Sequence, residues 1–515
     1  REGDFSYYKL EEGGVVVTHY YGDGGNVQIP ATIAGEPVKT LHKTFSLCAN
    51  VTGVTIPDSV TSIEGDTFLK CTNLTSVIIP DSVENIDSRA FGACGITSIT
   101  IPAGVNRISN RAFLKCSKLT EIAVSPDNQT YTSEDGVLYN KEKTKLCICP
   151  DGKEGVLTIP EGVEYIPADA FGECDGLTKI EIPASLINFG IPEEDDNVGT
   201  FSGGEKLAEI VVSADNPAYA SEAGILYDKN KETLYLYPAA KTGSSYTTPD
   251  GLKTLGAYAF EENQRLRDVT INDGVETIER SAFQGAGVET GIMPDSVTSI
   301  GELAFYNSKS LSEITLSKNL KEIPDYIFYN CSSLSEVEIP ASVKKIDTSI
   351  LSGCESLEKV TIKSPELTSI SSSAFSGTPD DVEFDVETNA IKNMLINTCG
   401  VSADNITSAG KDPKPSIENF TLDGIYYKVL SDPTDTANGT VQVGSGYSGS
   451  FEVTWGMADL VTIPETVTEE TTGNTYTVVA IGENAFASAW NAAWEDMMSS
   501  RVKNISIPKT VTTIG

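Results

Sequence analysis

The stretch LTSVIIPDSVENIDSRAFGAC at residues 74–94 is followed by ITSITIPAGVNRISNRAFLKC at residues 96–116. The same pattern returns as LSEITLSKNLKEIPDYIFYNC at 311–331 and LSEVEIPASVKKIDTSILSGC at 334–354. Its most regular member is an aromatic residue, which we call the anchor, and neighbouring anchors in uninterrupted stretches lie 22 to 24 residues apart. Such a period predicts a solenoid of stacked coils. The anchors are Phe45, Phe68, Phe91, Phe113, Phe171, Phe201, Phe260, Phe283, Phe305, Phe328, Leu351 as a substitute, and Phe375.

The pattern of one coil is L-x-x-I-x-I-P-x-x-V-x-x-I-x-x-x-A-F-x-x-C. The segment V-x-I-P alternates and is β-branched, which predicts a short strand, and proline ends that strand because it cannot donate to a ladder. Apolar residues then follow at spacings of three and four, which predicts a helical or 3₁₀ return. We therefore predict an α+β repeat solenoid, with one parallel sheet and short helical returns.

The I-P and A-F-x-x-C motifs, such as Ile79-Pro80 with Ala90-Phe91 and Cys94, resemble the BspA-like leucine-rich repeats of bacterial surface proteins. The resemblance covers nearly the whole chain. It implies a curved, right-handed leucine-rich-repeat coil, secretion, and display on a bacterial cell surface. Some relatives act as adhesins for host matrix proteins or other cells, so it also implies a binding role.

Two matching segments interrupt the array. DNQTYTSEDGVLYNKEKTKLCICP at 127–150 aligns without a gap with DNPAYASEAGILYDKNKETLYLYP at 215–238. Each predicts a β-hairpin, which forms either a ridge that widens a binding surface or a lateral brace without a ligand role. A third insertion, at 192–197, carries carboxylates that suit calcium, but it lacks the spacing of a calcium loop, which favours a solvated acidic loop.

The repeat stops near residue 400. Residues 382–386 predict a last strand, and residues 388–400 a capping helix with Ile391, Met394 and Leu395 on one face. We predict a solenoid with an N-terminal β cap over 1–400, a polar linker over 401–416, and the start of a second repeat module over 417–515. That module ends within a repeat, so we expect the natural protein to continue beyond Gly515.

The formal net charge of −36, from 73 acidic and 37 basic residues, argues against nucleic acid as a partner. The longest apolar runs are too short to insert in a membrane. The two histidines, His19 and His42, are too few for a three-histidine zinc site, and no nucleophile elbow or phosphate loop is present. We predict no catalytic residue, no metal and no cofactor.

Cysteines recur three residues past the anchor. Other repeats place Asn263, Ala286, Ser308 or Thr378 there, so the position favours a small buried residue, and free cysteine behaves as a small hydrophobe. We predict a ladder of buried thiols rather than disulfides. Its members are Cys48, Cys71, Cys94, Cys116, Cys174, Cys331 and Cys354.

The central residue of V-x-I should point away from the core and form a threonine-rich binding face. Separately, residues 487–502 predict a helix with Trp490 and Trp494 on one face, which either contact a sugar or partner or cover their own coil. The predicted sheet-face residues are Ile78, Thr100, Ala123, Glu181, Val211, Thr270, Ile292, Thr315, Glu338 and Thr361.

These observations favour a monomeric, non-enzymatic surface protein that binds a protein or glycan on host or neighbouring cells through its sheet face. One alternative is a spacer that displays another module. Another is a parallel β-helix enzyme that degrades polysaccharides, whose coils have a similar length. We expect helix content to distinguish the β-helix, since each coil is predicted to have one strand and a helical return.

Overall fold

The computed structural model describes residues 1–168, 170–171, 174–190, 204–410, 419–422, 425–431, 439–443, 460–462, 465–468, 475–481 and 504–514. These residues form two compact units, Arg1–Gly410 and Lys411–Gly515. The acidic insertion 192–197, the anchor Phe201 and the two tryptophans Trp490 and Trp494 lie outside the described residues.

In the first unit, the V-x-I segment of each coil is a strand that pairs in parallel with its neighbours, and we call it the first strand. First strands form sheets of three, two, three and eight members. They span Gly25–Gln28, Val51–Thr55, Ser76–Ile78, Ser98–Ile101, Glu121–Val124, Gly155–Thr158, Leu177–Ile182, Glu209–Val212, Ser245–Thr247, Asp268–Thr270, Thr290–Ile292, Glu313–Thr315, Glu336–Ile339, Lys359–Ile362, Glu383–Val386 and Ile406–Ser408.

A second, two-residue strand follows the proline turn of most coils. Pro80 ends the first strand, and its carbonyl accepts a hydrogen bond from the Val83 amide at 3.1 Å, which reverses the chain. The prediction of a single sheet is therefore wrong, because a second parallel ladder runs beside the first. The second strands span Ser62–Ile63, Asn85–Ile86, Arg107–Ile108, Tyr165–Ile166, Asn188–Phe189, Thr254–Leu255, Thr277–Ile278, Ser299–Ile300, Glu322–Ile323, Lys345–Ile346 and Ser369–Ile370.

The predicted helical returns are also wrong. In the coil of Phe68, Asp66 and Lys70 both have φ of 60°, and left-handed residues do not continue a helix. The Phe68 amide donates to the Ala90 carbonyl of the next coil at 2.7 Å, instead of bonding within its own turn. Helix content therefore cannot distinguish this chain from a parallel β-helix.

The anchors stack into a ladder of rings inside the solenoid. Phe260 and Phe283 have centroids 4.7 Å apart at 0°, and Phe283 and Phe305 have centroids 4.9 Å apart at 1°. Phe45, Phe68 and Phe91 stack in the same way. Because each anchor covers the ring of its neighbour, no coil completes its core alone.

Five of the seven thiols three residues past the anchors act as hydrogen-bond donors and not only as small hydrophobes. All ten cysteines are free. The Cys331 Sγ lies 3.1 Å from the carbonyl oxygen of Phe305, the anchor of the preceding coil, and burial raises the pKa of this thiol so that it keeps its proton. Ser308 makes the equivalent bond at 2.7 Å. The same contact, at 2.9 to 3.2 Å, is made by Cys71, Cys94, Cys116 and Cys354.

The donor role leads to a prediction for Cys331. Replacement by serine should cost less stability than replacement by alanine, by about 1 kcal/mol, because serine keeps the bond to the Phe305 carbonyl. Urea unfolding of the two variants measures the difference. If alanine is tolerated as well as serine, the position selects for size alone.

The two matched segments each form three antiparallel strands. Each segment begins with a fully buried asparagine, Asn128 or Asn216, that binds it to the preceding coil. The lysine in the polar turn of each segment bonds to a glutamate in another strand of the same segment. Lys231 bonds to Glu222 at 2.5 Å, and Lys143 bonds to Glu134. The strands span Tyr131–Glu134, Val137–Asn140, Leu146–Ile148, Tyr219–Glu222, Ile225–Asp228 and Thr233–Leu236.

These segments do not interrupt the array, as the sequence suggested, but continue it. The Tyr237 amide donates to the Ala259 carbonyl at 2.7 Å, which is the bond an anchor makes, and the Tyr237 ring stacks on Phe260 at 5.5 Å. Cys149 makes the same anchor bond to Ala170 at 2.8 Å. Each segment therefore completes a coil whose first strand is Glu121–Val124 or Glu209–Val212, with a hairpin inserted after that strand. The last strand of the second segment pairs in parallel with Thr254–Leu255, so it occupies the second-strand position.

Both faces of the middle strand in each segment are buried. Leu138 packs in the N-terminal core cluster, while Val137 and Tyr139 pack in the next cluster. In the second segment, Leu226 packs in that middle cluster, while its neighbour Tyr227 packs in the C-terminal one. The segments are thus internal partitions between packed cores, which favours the brace over the binding ridge.

Near residue 400 a helix, Asn389–Cys399, packs on the core through buried Ile391 and Leu395. The Thr388 side chain accepts from the Ile391 amide, and Gly400 ends the helix with φ of 73°. The strand at 382–386 is not the last of its sheet, because Ile406–Ser408 pairs with it in parallel. The sheet thus extends into the segment expected to be a linker.

The N-terminal region of the first unit and the described part of the second unit share three strand pairings in the same order. In the first unit, Phe5–Lys9 pairs antiparallel with Val15–Tyr20, which pairs in parallel with Glu36–Leu41, and Thr32–Ile33 folds back on the last of these. The second unit repeats each of these pairings in the same order. Its strands span Asn419–Leu422, Ile425–Ser431, Gly439–Val443, Leu460–Thr462, Thr466–Thr468, Thr475–Ile481, Asn504–Ser506 and Thr513–Ile514.

Candidate binding surface on the first-strand sheet

The predicted sheet-face residues all lie outside the core. Ile292 is 68% exposed and Ile78 is 60% exposed, although both are large and apolar. Their neighbours in the same strands, such as Val269 beside Thr270, are buried, as expected from alternation along a strand. The other sheet-face residues, all exposed or partly exposed, are Thr100, Ala123, Glu181, Val211, Thr315, Glu338 and Thr361.

Five of these residues lie in one row of the eight-stranded sheet, which we call the outward row. Thr270 pairs with Ile292, and Ile292 with Thr315. The register places Glu338 beside Thr315, and Glu338 pairs with Thr361. The row is extended at its ends by Thr247, Asp385 and Thr407.

The remaining predicted residues belong to separate, shorter sheets. Ile78 lies at the edge of a three-stranded sheet, and Thr100 pairs with Ala123 in a two-stranded one. Glu181 pairs with Val211 in another three-stranded sheet. The structure therefore groups the C-terminal residues into one surface and does not join the N-terminal ones to it.

A second exposed row was not predicted from the sequence. In each strand, its residue lies two positions before the residue of the outward row. Asp268 pairs with Thr290, and Thr290 with Glu313. Glu336 and Lys359 continue this row. The period of two along a strand could have identified it, because residues i and i+2 share a face.

Two glutamates of the predicted sheet face form local ion pairs. The Lys363 amine lies 2.8 Å from Glu338, and the Lys179 amine lies 3.0 Å from Glu181. Lys179 and the Thr158 hydroxyl both donate to Glu181, which lowers the pKa of that carboxyl below its usual value. Glu181 therefore stays ionised at neutral pH, and the charges of Glu181 and Glu338 are each partly neutralised by a lysine.

Among the described residues, no group of three or more histidine, cysteine, aspartate or glutamate side chains could hold a metal ion. In the described part of the chain, no helix has the length and apolar character needed to cross a membrane. What the sheet offers chemically is a surface of hydroxyl, aliphatic and paired charged groups.

A family model described as the BspA type leucine rich repeat region matches the chain in six copies, over residues 40–154, 155–191, 239–290 and 276–402. The match covers more than half of the chain. The chain belongs to the BspA-type leucine-rich repeat family. The resemblance drawn from the I-P and A-F-x-x-C motifs is thereby confirmed, and membership of a BspA-type repeat family, rather than helix content, argues against a polysaccharide-degrading β-helix.

Several solved structures resemble this BspA-type protein. A leucine rich cell surface protein from Faecalibacterium prausnitzii is 25% identical, with 78% of this chain and 97% of that chain covered and a TM-score of 0.46. A leucine-rich repeat protein from Eubacterium ventriosum is 21% identical, with 73% and 93% covered and a TM-score of 0.41. The pneumococcal vaccine antigen PcpA is 21% identical, with 80% and 97% covered and a TM-score of 0.39. No curated protein matches the chain in sequence.

Proposed function

We propose that this BspA-type protein is a non-enzymatic protein of the bacterial cell surface that binds a protein partner through the outward row. Membership of the family supports the location, since the resemblance of this chain to BspA-like repeats implies secretion and surface display. The observation that carries the binding role is the row itself. Side chains from successive coils stand in register on one sheet, and none of them contributes to the core.

The dimensions of the row suit a protein ligand. Parallel strands lie about 4.8 Å apart, so eight strands present a surface roughly 35 Å long. An exposed Ile292 between Thr270 and Thr315 provides an apolar centre with hydroxyl groups on each side. Interfaces commonly have such an apolar centre with a polar rim, and a buried centre carries most of the binding energy.

We further propose that residues 417–515 begin a second module of the same kind as the first. Its strands repeat the pairing order of the N-terminal cap, including a short strand that folds back on its neighbour. A tandem of two modules would offer two binding surfaces on one chain, which raises avidity when both are engaged.

The binding role can be tested with the variant Ile292→Glu, Thr315→Glu in the full chain. Two added carboxylates at the centre of the row should weaken binding to purified extracellular-matrix proteins by about tenfold or more. The probe is a panel of fibronectin, fibrinogen, laminin and collagen, measured by surface plasmon resonance.

The matched control is Leu47→Glu, Thr72→Glu, which changes one exposed aliphatic residue and one exposed threonine away from the row. It should bind as the wild type does. If no matrix protein binds, or if both variants bind equally well, the outward row is not the binding surface and the spacer hypothesis is favoured.

A further inference from the structure

Three tyrosines form a patch on the returns of two adjacent coils, away from the first-strand sheet. Tyr306 and Tyr329 each follow an anchor, and their rings stack with centroids 5.2 Å apart at 10°. Tyr326 meets the Tyr329 ring at 66° with a centroid distance of 5.8 Å, and it is 37% exposed. We call Tyr306, Tyr326 and Tyr329 the tyrosine patch.

The repeat does not require these rings. The position after the anchor, which Tyr329 occupies, is Leu69 or Gly92 in N-terminal coils and Ser352 in the next coil. These coils fold without an aromatic residue at that position. A partly exposed aromatic cluster that the fold does not need is typical of a binding site.

The stack of tyrosines after the anchors, which we call the tyrosine ladder, ends at Tyr329, because the next coil has Ser352 at the equivalent position. The next coil lies directly beside it, because the Asn330 amide donates to the Ser352 carbonyl at 2.7 Å. That coil carries only Ser352 and Gly353 at this point, and a side chain on Gly353 would come within 2.4 Å of the Asn330 amide oxygen. The ladder therefore changes from a tyrosine to a serine beside Tyr329, and we call this place the step.

Amide groups border this step. The Asn330 Nδ2 donates to the Asn307 Oδ1 at 3.0 Å. Within the described part of the chain, the Asn307 amide nitrogen and the Asn330 amide oxygen have no other side-chain hydrogen bond, so a donor and an acceptor remain for a ligand. Hydroxyls of Ser349 and Ser352 lie on the neighbouring coil, at the positions equivalent to Tyr326 and Tyr329.

We propose that the tyrosine patch binds a neutral hexopyranose unit of a glycan. A pyranose ring has a face of C–H groups, which packs on the negative face of an aromatic ring, and a rim of hydroxyls, which bond to amides. The ring lies on Tyr329 above Ser352 and continues the tyrosine ladder by one step. No member of the patch is charged, and the chain carries −36, so an uncharged sugar is favoured over an anionic one.

The site does not rest on the sheet-face proposal, because it lies on the returns. The probes are lactose, maltose and methyl mannoside, with methyl glucuronide as the anionic comparison, and binding to the full chain is measured by saturation-transfer NMR. At least one neutral sugar should bind, with dissociation constants in the millimolar range expected of a single exposed step. The Tyr329→Ala variant should bind it about tenfold more weakly or not at all.

Two variants separate stacking from folding. Tyr329→Phe keeps the ring and should retain binding within about threefold, while Leu69→Ala, at the same coil position in the N-terminal half, should leave binding unchanged. The proposal is overturned if no neutral sugar binds, if Tyr329→Ala binds as the wild type does, or if methyl glucuronide binds as tightly as the neutral sugars. Loss of a matrix-protein contact in Tyr329→Ala, with no sugar bound, would instead make the patch a protein-docking surface.

Discussion

Replacing Asn128 with alanine is expected to detach the first three-stranded insertion from the solenoid and to destabilise it by at least about 3 kcal/mol. The side chain is fully buried. Its Nδ2 donates to the carbonyls of Pro102 at 2.7 Å and Val105 at 2.8 Å. Its Oδ1 accepts from the amides of Thr130 at 2.9 Å and Tyr131 at 2.8 Å.

The size of this effect follows from the number of groups left without a partner. Alanine leaves two backbone carbonyls and two backbone amides next to this buried position without their hydrogen-bond partner. Each buried backbone group left unsatisfied costs about 1–3 kcal/mol of stability. Asn216 makes the same four bonds to Pro183, Leu186, Ala218 and Tyr219, so Asn216→Ala should act alike on the second insertion.

Hydrogen exchange of the amides in 130–148 is the most direct measurement, since long repeat arrays need not unfold in one step. The isosteric Asn128→Asp variant should be as damaging as alanine at pH 7, because a carboxylate would face the Pro102 and Val105 carbonyls. The control Asn73→Ala removes one exposed bond, to the Ala49 carbonyl at 2.8 Å, and should cost under about 1 kcal/mol. Equal exchange in Asn128→Ala and Asn73→Ala would refute the anchoring role.

The sequence predicted the coil, its anchors and its outward residues because these depend on local alternation and on a fixed period. The geometry of the returns was not predictable in this way. Left-handed residues at the returns include Asp66, Lys70 and Arg89. A positive φ could not be predicted from these residue types. Their cost is offset by amides that bond to the next coil, which is a property of the stack and not of the segment.

The insertions show a second limit of pattern reasoning. Cys149 and Tyr237 occupy anchor positions, but neither matches the A-F motif, so the array seemed broken at both places. The ring stack of Tyr237 on Phe260 reveals the equivalence only in three dimensions. In contrast, the donor role of the thiols could have been inferred, because the exchange of cysteine with Ser308 and Asn263 points to hydrogen bonding, with Ala286 as the exception.

Truncating the anchor Phe283 to alanine should cost about 3–5 kcal/mol, the usual range for a buried phenylalanine. The ring is 2% exposed and is stacked between Phe260 and Phe305. Its removal leaves a cavity with an aromatic face on each side, and neighbouring coils cannot close it without losing their own inter-coil bonds. We expect the damage to reach the coils on both sides, which urea unfolding and local hydrogen exchange would detect.

The chain provides its own control for this experiment, because Leu351 occupies an anchor position between Phe328 and Phe375 and is fully buried. Phe283→Leu should therefore cost only about 1–1.5 kcal/mol. The contrast between the two variants tests whether the anchor acts through filled volume, which leucine largely retains, or through aromatic stacking, which it loses. If leucine is as damaging as alanine, stacking between rings is the dominant contribution, and Leu351 must be compensated by changes in its own neighbours.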